Sequence, residues 1–552
     1  MGETDDVVGW ANSIASQFIV TTDKINVATD LFVKQLKQGL EEDGSSLLQV
    51  PSYVTKLPNG SETGVCMAID LGGTNLRVCS VELHGNSKLS VVQSKAAIPM
   101  SAMTAKTYKD LFRFIANHTE SFMREHMPHS LDRWARVLEH GQPTAQLRND
   151  YCHSLGFTFS FTFDQYALNK GALMYWTKAF SIEDAIGRDP CAMLQEALDE
   201  RRLPLTVTAL VNDTVGTLAA RAYCAPTKNG TLLGAIFGTG TNGAYMERVY
   251  NIRKLHSNRA FATANPGVFM ALNTEWGGFD RDLSVLPTTT FDDDLDRESV
   301  NPQDQYYEKR ISGLYLGELL RRVILEGSQS GKLSLQLPAH SRAHTAYSID
   351  SSFLSEIVKD SSYELTYAKQ HISQVLGSAP PTRDQAKALK IIAEAIGLRA
   401  ARLSAIAIAG VAIQSGRLPT AHKLPTLLRC WSLKYLLRQV LTFATGLFRQ
   451  LFMAKYSPLR LRDESHATDR MAVDYEKLPD LMSVADDDII DIGVDGSLFE
   501  FFPGFEGNLR IALREIPAIG PSNEPKLRMG TAKDGSGVGA ALIALLNREN
   551  DI

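Results

Sequence analysis

Asp70, Gly72, Gly73, Thr74 and Asn75 stand in the stretch MAIDLGGTNLRVCSVEL, where an apolar run stops at an acid and two glycines and then resumes. A glycine pair at a turn lets a phosphate approach the backbone closely, because no Cβ intervenes and several N–H groups can point at one anion. Thr74 would add a hydroxyl donor, and Asp70 would hold Mg²⁺ through water. An acid that ends an apolar strand is costly unless something cationic meets it. A second such turn lies in LLGAIFGTGTNGAY and carries Gly238 and Thr239. Its G-x-G-x-x-G spacing is not a dinucleotide fingerprint, since AYMERVY continues as a strand where a phosphate-binding helix would begin. No Walker A pattern occurs in the chain. A third version, DIIDIGVDGSLFEFF, holds Gly493, Asp495, Gly496 and Ser497. Each turn alone is weak, and three in order point to one phosphate-binding cleft.

The elements that must position these turns follow from the apolar period. Phe18, Val27, Leu31, Phe32 and Leu36 recur at helical spacing, so the first 50 residues read as helical. From Val65 to Val92 the period falls to two, which predicts strand, turn and strand. Ser154–Phe163 reads as one β segment, followed by helical sequence through Leu198 and a strand over Leu205–Asp213. The segments around residues 67–83, 232–245 and 488–502 all read as strand, glycine turn, strand. Such weak repeats predict two related α/β halves, each giving a turn to one shared site.

At 552 residues the chain predicts two domains, or two lobes of one fold. With 44% hydrophobic and 22% charged residues and a net charge of −5, it reads as globular with no electrostatic case for nucleic acid. A small-molecule partner is expected. The 6 cysteines show no C-x-x-C or His-Cys cluster, which argues against a disulfide framework or structural zinc and favours a reducing, cytoplasmic setting. MGETDDVVGW has acids where a signal peptide would need basic residues. The most apolar stretch, Trp431–Met453, is broken by Lys434, Arg438 and Arg449, so no stable membrane insertion is expected.

The motifs LPNGSETGVCMAIDLGGTNLRV, LGFTFSF, WTKAF, VNDTVGT, FGTGTNGAY, NTEWGGFD, YEKRISGLYLGELLRRVILE, RAARLSAIAIAG, GVDGSLFEFFPGF and AKDGSGVGAALIAL occur in the order found in hexokinases. The whole resembles a glucokinase-type hexokinase of fungi, from about Ser13 to Asn547. That resemblance implies an actin-like, ribonuclease H-like α/β sugar-kinase fold with a ligand cleft between two lobes. The small lobe would span 67–211, completed by the last helix at about 537–552, and the large lobe 1–66 and 212–536. It implies transfer of the γ-phosphoryl of MgATP to the 6-hydroxyl of glucose or a related hexose, feeding glycolysis; the alternative is a catalytically weak sugar sensor.

By the same resemblance Asp213 is the catalytic base, with Lys178 as its catalytic companion. Ser160, Thr177, Lys178, Asn212, Asn242, Glu275 and Glu308 would hold sugar hydroxyls, which donate and accept and therefore suit amides and carboxylates. Asp70, Gly72, Gly73, Thr74 and Asn75, then Gly238 and Thr239, then Gly493, Asp495, Gly496 and Ser497 would hold ATP, and Asp70 its Mg²⁺ through water. Arg399–Ala405 reads as a packed helix. Two departures stand out. Thr162 replaces the proline that normally follows the FSF motif and would stiffen the sugar loop. An insert at about 417–482 replaces a much shorter connection; it reads as an amphipathic surface-binding helix, an appended packing helix, or sequence foreign to the fold such as a retained intron.

Overall fold

The computed structural model describes residues 4–176, 180–255, 267–418, 486–532 and 534–550. The described residues up to Arg417 and from 486 onward belong to one compact unit. The insert expected at 417–482 lies almost wholly outside the described residues, as do Thr177, Lys178 and the last two residues of the expected C-terminal helix.

The strands, in chain order, are β1 (Val50–Pro51), β2 (Thr63–Leu71), β3 (Asn75–Gly85), β4 (Lys88–Ala97), β5 (His153–Phe159), β6 (Thr162–Ala167), β7 (Lys170–Tyr175), β8 (Leu205–Val211), β9 (Thr231–Phe237), β10 (Thr241–Arg248), β11 (Phe269–Asn273), β12 (Ile490–Asp495) and β13 (Leu527–Thr531). A 5-stranded sheet has the order β4-β3-β2-β5-β8, and a 6-stranded sheet the order β1-β11-β10-β9-β12-β13. The repeat expected from sequence is visible in how they pair. In the first, β2, β3 and β4 form an antiparallel meander and β5 and β8 add on in parallel. In the second, β9, β10 and β11 form the meander and β12 and β13 add on in parallel. The glycine turns of Gly72–Thr74 and Gly238–Gly240 therefore occupy equivalent places, each closing the first hairpin of its sheet.

Two helices, Asp213–Cys224 and Gly535–Asn550, fill the space between the sheets. Their Val215, Leu218, Ala219, Ala540 and Leu542 share one apolar cluster with Cys66 and Ala68 of β2 and with Ala244 and Ala271 of the larger sheet. The other face of the 5-stranded sheet packs on the Tyr108–His126 and Pro190–Glu200 helices. An 18-residue stretch of the 32-residue helix Arg383–Gln414 is apolar enough to cross a membrane, yet 83% of that stretch is buried in protein. It contains Arg399, as the packed-helix reading expects.

Five expectations are corrected. Val65–Val92 spans three strands, β2, β3 and the first half of β4, instead of two. Val27 lies on the exposed side of the helix Thr22–Glu41, whose buried face is Ile25, Ala28, Phe32, Leu36 and Leu40. Ser154–Phe163 is two strands, because β5 ends at Phe159 and the chain turns at Ser160 and Phe161 before β6. The sequence that follows is a β6–β7 hairpin, and among the described residues α-helix begins only at Pro190, after a short 3₁₀ turn at Glu183–Ala185. The hairpin's Ala, Leu and Met residues favour helix locally, and burial of Leu173 and Phe161 against the sheet overrides that preference. The third glycine turn leads into the helix Ser497–Phe501 instead of a second strand.

Candidate active site

Asp213 opens the helix that lies between the sheets. The preceding Asn212 caps it, accepting from Thr214 N–H at 3.0 Å and from Thr214 Oγ1 at 2.6 Å, and Asp213 Oδ1 also accepts from Thr214 N–H at 2.8 Å. This is the pattern expected where a strand ends in Asn-Asp and a helix starts. The cap holds the Asp213 carboxylate at the rim of the sheets, half-buried.

The third turn comes next to the second. Gly496 has φ +117°, and a Cβ there would sit 2.3 Å from Phe237 O and 2.7 Å from Gly238 N, so the two turns touch backbone to backbone. Gly493 is not in that turn; it lies inside β12, paired with Gly530 and Gly234. Beneath it the Arg221 guanidinium grips the fully buried Asp491 through Nε at 3.1 Å and Nη2 at 2.7 Å. Burial pushes the Asp495 carboxyl above its ordinary range, and the charges of Glu500, Asp534 and Asp213 push the same way. Asp213 and the Asp495 turn thus feel one another.

The first turn joins through the C-terminal segment. Ser536 Oγ donates to Asp70 Oδ2 at 3.2 Å, and Arg77 Nη1 pairs with Asp534 at 3.0 Å. Gly72 N–H donates to Asn75 O at 3.0 Å, closing the turn, and leaves Thr74 exposed. Ser160 N–H donates to Leu71 O at 3.3 Å, which seats Ser160 at the same strand end. Phe161, Trp176 and Phe180 form a tight ring cluster, with Trp176 and Phe180 stacked at 5.3 Å.

On the other side of the Gly238–Gly240 turn, Thr241 N–H donates to Glu308 Oε2 at 3.0 Å. Gly313 N–H and Leu314 N–H return bonds to Gly238 O at 2.7 Å and Thr239 O at 3.1 Å. Glu275 adopts left-handed backbone, φ 53° and ψ 46°, in the bend between β11 and Trp276. Its Oε1 accepts from Asn242 Nδ2 at 3.1 Å and from Asn273 Nδ2 at 2.6 Å. Asn242, Glu275 and Glu308 are therefore gathered around β10, while Asp70, Asp213, Asp495 and Gly496 gather around the three turns. Asn273 was not singled out from sequence. Its signal was there: in NTEW it stands two residues before Glu275.

Comparison with known proteins decides the family. Two family models described as hexokinase match residues 10–223 and 232–546. The chain belongs to the hexokinase family. This hexokinase is 40% identical to a glucokinase from Aspergillus niger, over 97% of the chain and 96% of the relative. It is 33% identical to Glucokinase-1 of Saccharomyces cerevisiae, over 98% and 97%. Among solved structures it resembles the Schistosoma mansoni hexokinase complexed with glucose, with a TM-score of 0.71 and 27% identity over 98% of this chain and 99% of that one. The fold of this hexokinase is the two-lobed α/β sugar-kinase fold.

Proposed function

We propose that this hexokinase transfers the γ-phosphoryl group of MgATP to the 6-hydroxyl of glucose, giving glucose 6-phosphate for glycolysis in the cytoplasm. The observation that best supports one joint site is the Gly238–Thr241 turn. One side of it meets Gly496 of the Asp495 turn, and the other holds the Glu308 carboxylate. Nucleotide and sugar would thus be read from two sides of one turn. Glucose as the sugar draws support from the glucokinases named above and from the glucose complex of the Schistosoma mansoni protein. The five cysteines described, all unpaired, suit a reducing compartment.

In this reading Asn242, Glu275, Glu308, Asn212 and Ser160, with Thr177 and Lys178, hold the hexose hydroxyls. The 6-oxygen attacks the γ-phosphorus, the bond from that phosphorus to the β–γ bridging oxygen breaks, and ADP leaves with the electron pair. Asp213 accepts the hydroxyl proton. Phosphoryl transfer depends on alignment and charge neutralisation, so one positioned carboxylate is enough on the protein side. The turns at Gly72–Asn75 and Gly238–Thr239 would cradle phosphates, and Asp495–Ser497 the adenosine side.

The acids fit Mg²⁺. Asp70, Asp213, Asp495 and Asp534 bring negative charge to one region, and a divalent cation arriving with the nucleotide would relieve it. Among the described residues no three His, Cys, Asp or Glu side chains form a ready-made metal cage, and in this reading Asp70 would hold the ion through water. Bound there, Mg²⁺ would neutralise charge developing on the phosphates. The two sheets would define the lobes, residues 67–211 with the C-terminal helix against the remainder.

A coupled assay for ADP, with and without glucose, tests the reading. Sugar-dependent ADP release with matching glucose 6-phosphate is expected. Equal ADP release without sugar, or tight glucose binding without ADP, would overturn it.

A further inference from the structure

The amides around Glu275 form a closed chain of donors and acceptors whose orientation is chemically forced. A carboxylate only accepts, so the groups at 2.6 Å and 3.1 Å from Glu275 Oε1 are the NH₂ ends of Asn273 and Asn242. Asn273 then turns its Oδ1 toward Asn242 Nδ2 at 2.7 Å. At the far end the Gly243 backbone N–H, which only donates, meets Asn242 Oδ1 at 2.8 Å, and Thr274 Oγ1 adds a 3.3 Å contact to the same oxygen. Reversing either amide would set oxygen against carboxylate or N–H against NH₂. Both NH₂ protons of Asn242 are committed, one to Asn273 and one to Glu275.

We propose that Asn273 is a positioning residue for sugar recognition: it fixes the rotamer of Glu275 and locks the amide of Asn242, so that the Glu275 carboxylate is presented ready-oriented to a hexose hydroxyl. Asn273 is suited to this because it sits at the end of β11, paired with Ala244 and Val50, and is only 8% exposed. Glu275 needs such a holder, because its left-handed backbone belongs to a bend and a carboxylate on a bend has several rotamers to choose from. Preorganising it removes an ordering cost from each binding event. The inference rests on the reading of Glu275 as a sugar ligand.

The test compares Asn273→Ala, the isosteric Asn273→Asp, Glu275→Ala and the double variant Asn273→Ala/Glu275→Ala in the full-length protein. Glucose affinity and MgATP affinity are measured by titration calorimetry, alongside kcat and KM. Asn273→Ala is expected to weaken glucose about 10- to 100-fold, the range for losing a hydrogen bond to a charged group, with MgATP affinity unchanged. In the double variant the two losses should not multiply, since Asn273 acts through Glu275. Asn273→Asp replaces a donor with a second carboxylate, so its glucose affinity should recover as pH falls and the pair takes up a proton. Full multiplication of the two single effects, or equal loss of glucose and MgATP binding in Asn273→Asp, would overturn the positioning role. If Glu275→Ala itself binds glucose normally, the sugar-ligand reading fails first, and that result is recognisable on its own.

Discussion

Thr241 N–H donates to Glu308 Oε2 at 3.0 Å, and the residue before it, Gly240, leaves the space that this bond needs. A Cβ on Gly240 would stand 2.9 Å from Glu308 Oε2 and would meet no other group within 3.4 Å. The crowded atom is the tip of a flexible side chain, so the fold can absorb the change by moving the carboxylate. Gly240→Ala is therefore expected to raise the glucose KM about tenfold, in keeping with one charge-assisted hydrogen bond disturbed. Its stability should change by less than about 1 kcal/mol in denaturant titration.

Asp213→Ala separates binding from chemistry. Removing a general base costs about 10²–10⁴-fold in kcat, whereas the amides and carboxylates proposed to hold glucose stay in place. Steady-state kinetics and glucose titration on the same sample check this. A variant keeping more than half of the parent turnover would show that Asp213 serves only the first turn of its helix, where it accepts from Thr214 N–H.

How far the sequence reached can be argued from these residues. The hairpins carrying Gly72 and Gly238 were legible because in each an apolar run stops at a glycine turn and then resumes. The strand leading to Asn212 and Asp213 was legible from its apolar residues, while their roles came from the resemblance of VNDTVGT to the hexokinase motif. The β6–β7 hairpin was not, because its residues favour helix and only contact with the 5-stranded sheet decides otherwise. The helix after Gly496 was hidden too: SLFEF is as compatible with strand as with helix, and a φ of +117° against Phe237 redirects the chain. Asn273 could be found only as the residue two before Glu275 in NTEW, because a single asparagine carries no period and its partners depend on the register between β10 and β11.

The helix Arg383–Gln414 holds one half of a buried ion pair whose removal should be costly. Arg399 Nη1 and Nη2 meet Asp292 Oδ2 and Oδ1 at 2.7 and 2.8 Å, and Thr289 adds N–H and hydroxyl bonds to the same carboxylate. Arg399→Leu leaves Asp292 without its cation, and about 3–5 kcal/mol of stability should be lost in denaturant titration. Burial opposes ionisation of Asp292, but the Arg399 charge and its hydrogen bonds outweigh it and hold the carboxyl below its usual range. A depressed carboxyl contributes stability above its unfolded pKa, near 4, and loses it as pH falls through the lower folded value. The stability gap between the parent and Asp292→Asn should therefore be widest near neutral pH and narrow below about pH 4.

Thiol chemistry should be selective. Burial raises the Cys79 thiol to about 12 and Cys152 to about 11, and pushes Cys66 and Cys191 up as well. All four are buried, whereas Cys224 is exposed at the end of its helix. Burial raises the Cys224 thiol as well, but of the five described cysteines it alone is exposed, so iodoacetamide at pH 8 followed by peptide mass spectrometry should label Cys224 first in the native protein and the buried four only after denaturation. Native labelling of Cys66 or Cys79 would mean that the space between the sheets opens readily.

The ends of the inserted segment are tied to one place. Arg417 Nη1 donates to Asn229 O at 2.9 Å and Gly230 O at 3.0 Å, just after the helix Arg383–Gln414. On the far side Asn229 Nδ2 donates to Asp487 O at 2.7 Å, and Lys228 pairs with Asp487 at 2.7 Å. The chain thus leaves and re-enters beside the same Lys228–Gly230 loop, immediately before β12, so a short join can replace what lies between. Closing a longer loop costs only about 0.6 kcal/mol per doubling of length, so little stability rides on the segment through chain entropy alone. Deleting residues 419–485 with a glycine-serine join, while keeping Arg417 and Asp487, should give a soluble protein with the parent's glucose KM and kcat and a melting temperature within a few degrees of it. Arg417→Ala in the parent should cost some stability, because the partly buried bond to the Gly230 carbonyl is lost. Loss of MgATP binding in the deletion protein would mean that the segment supports the Asp495 turn, and the loop reading would then be wrong.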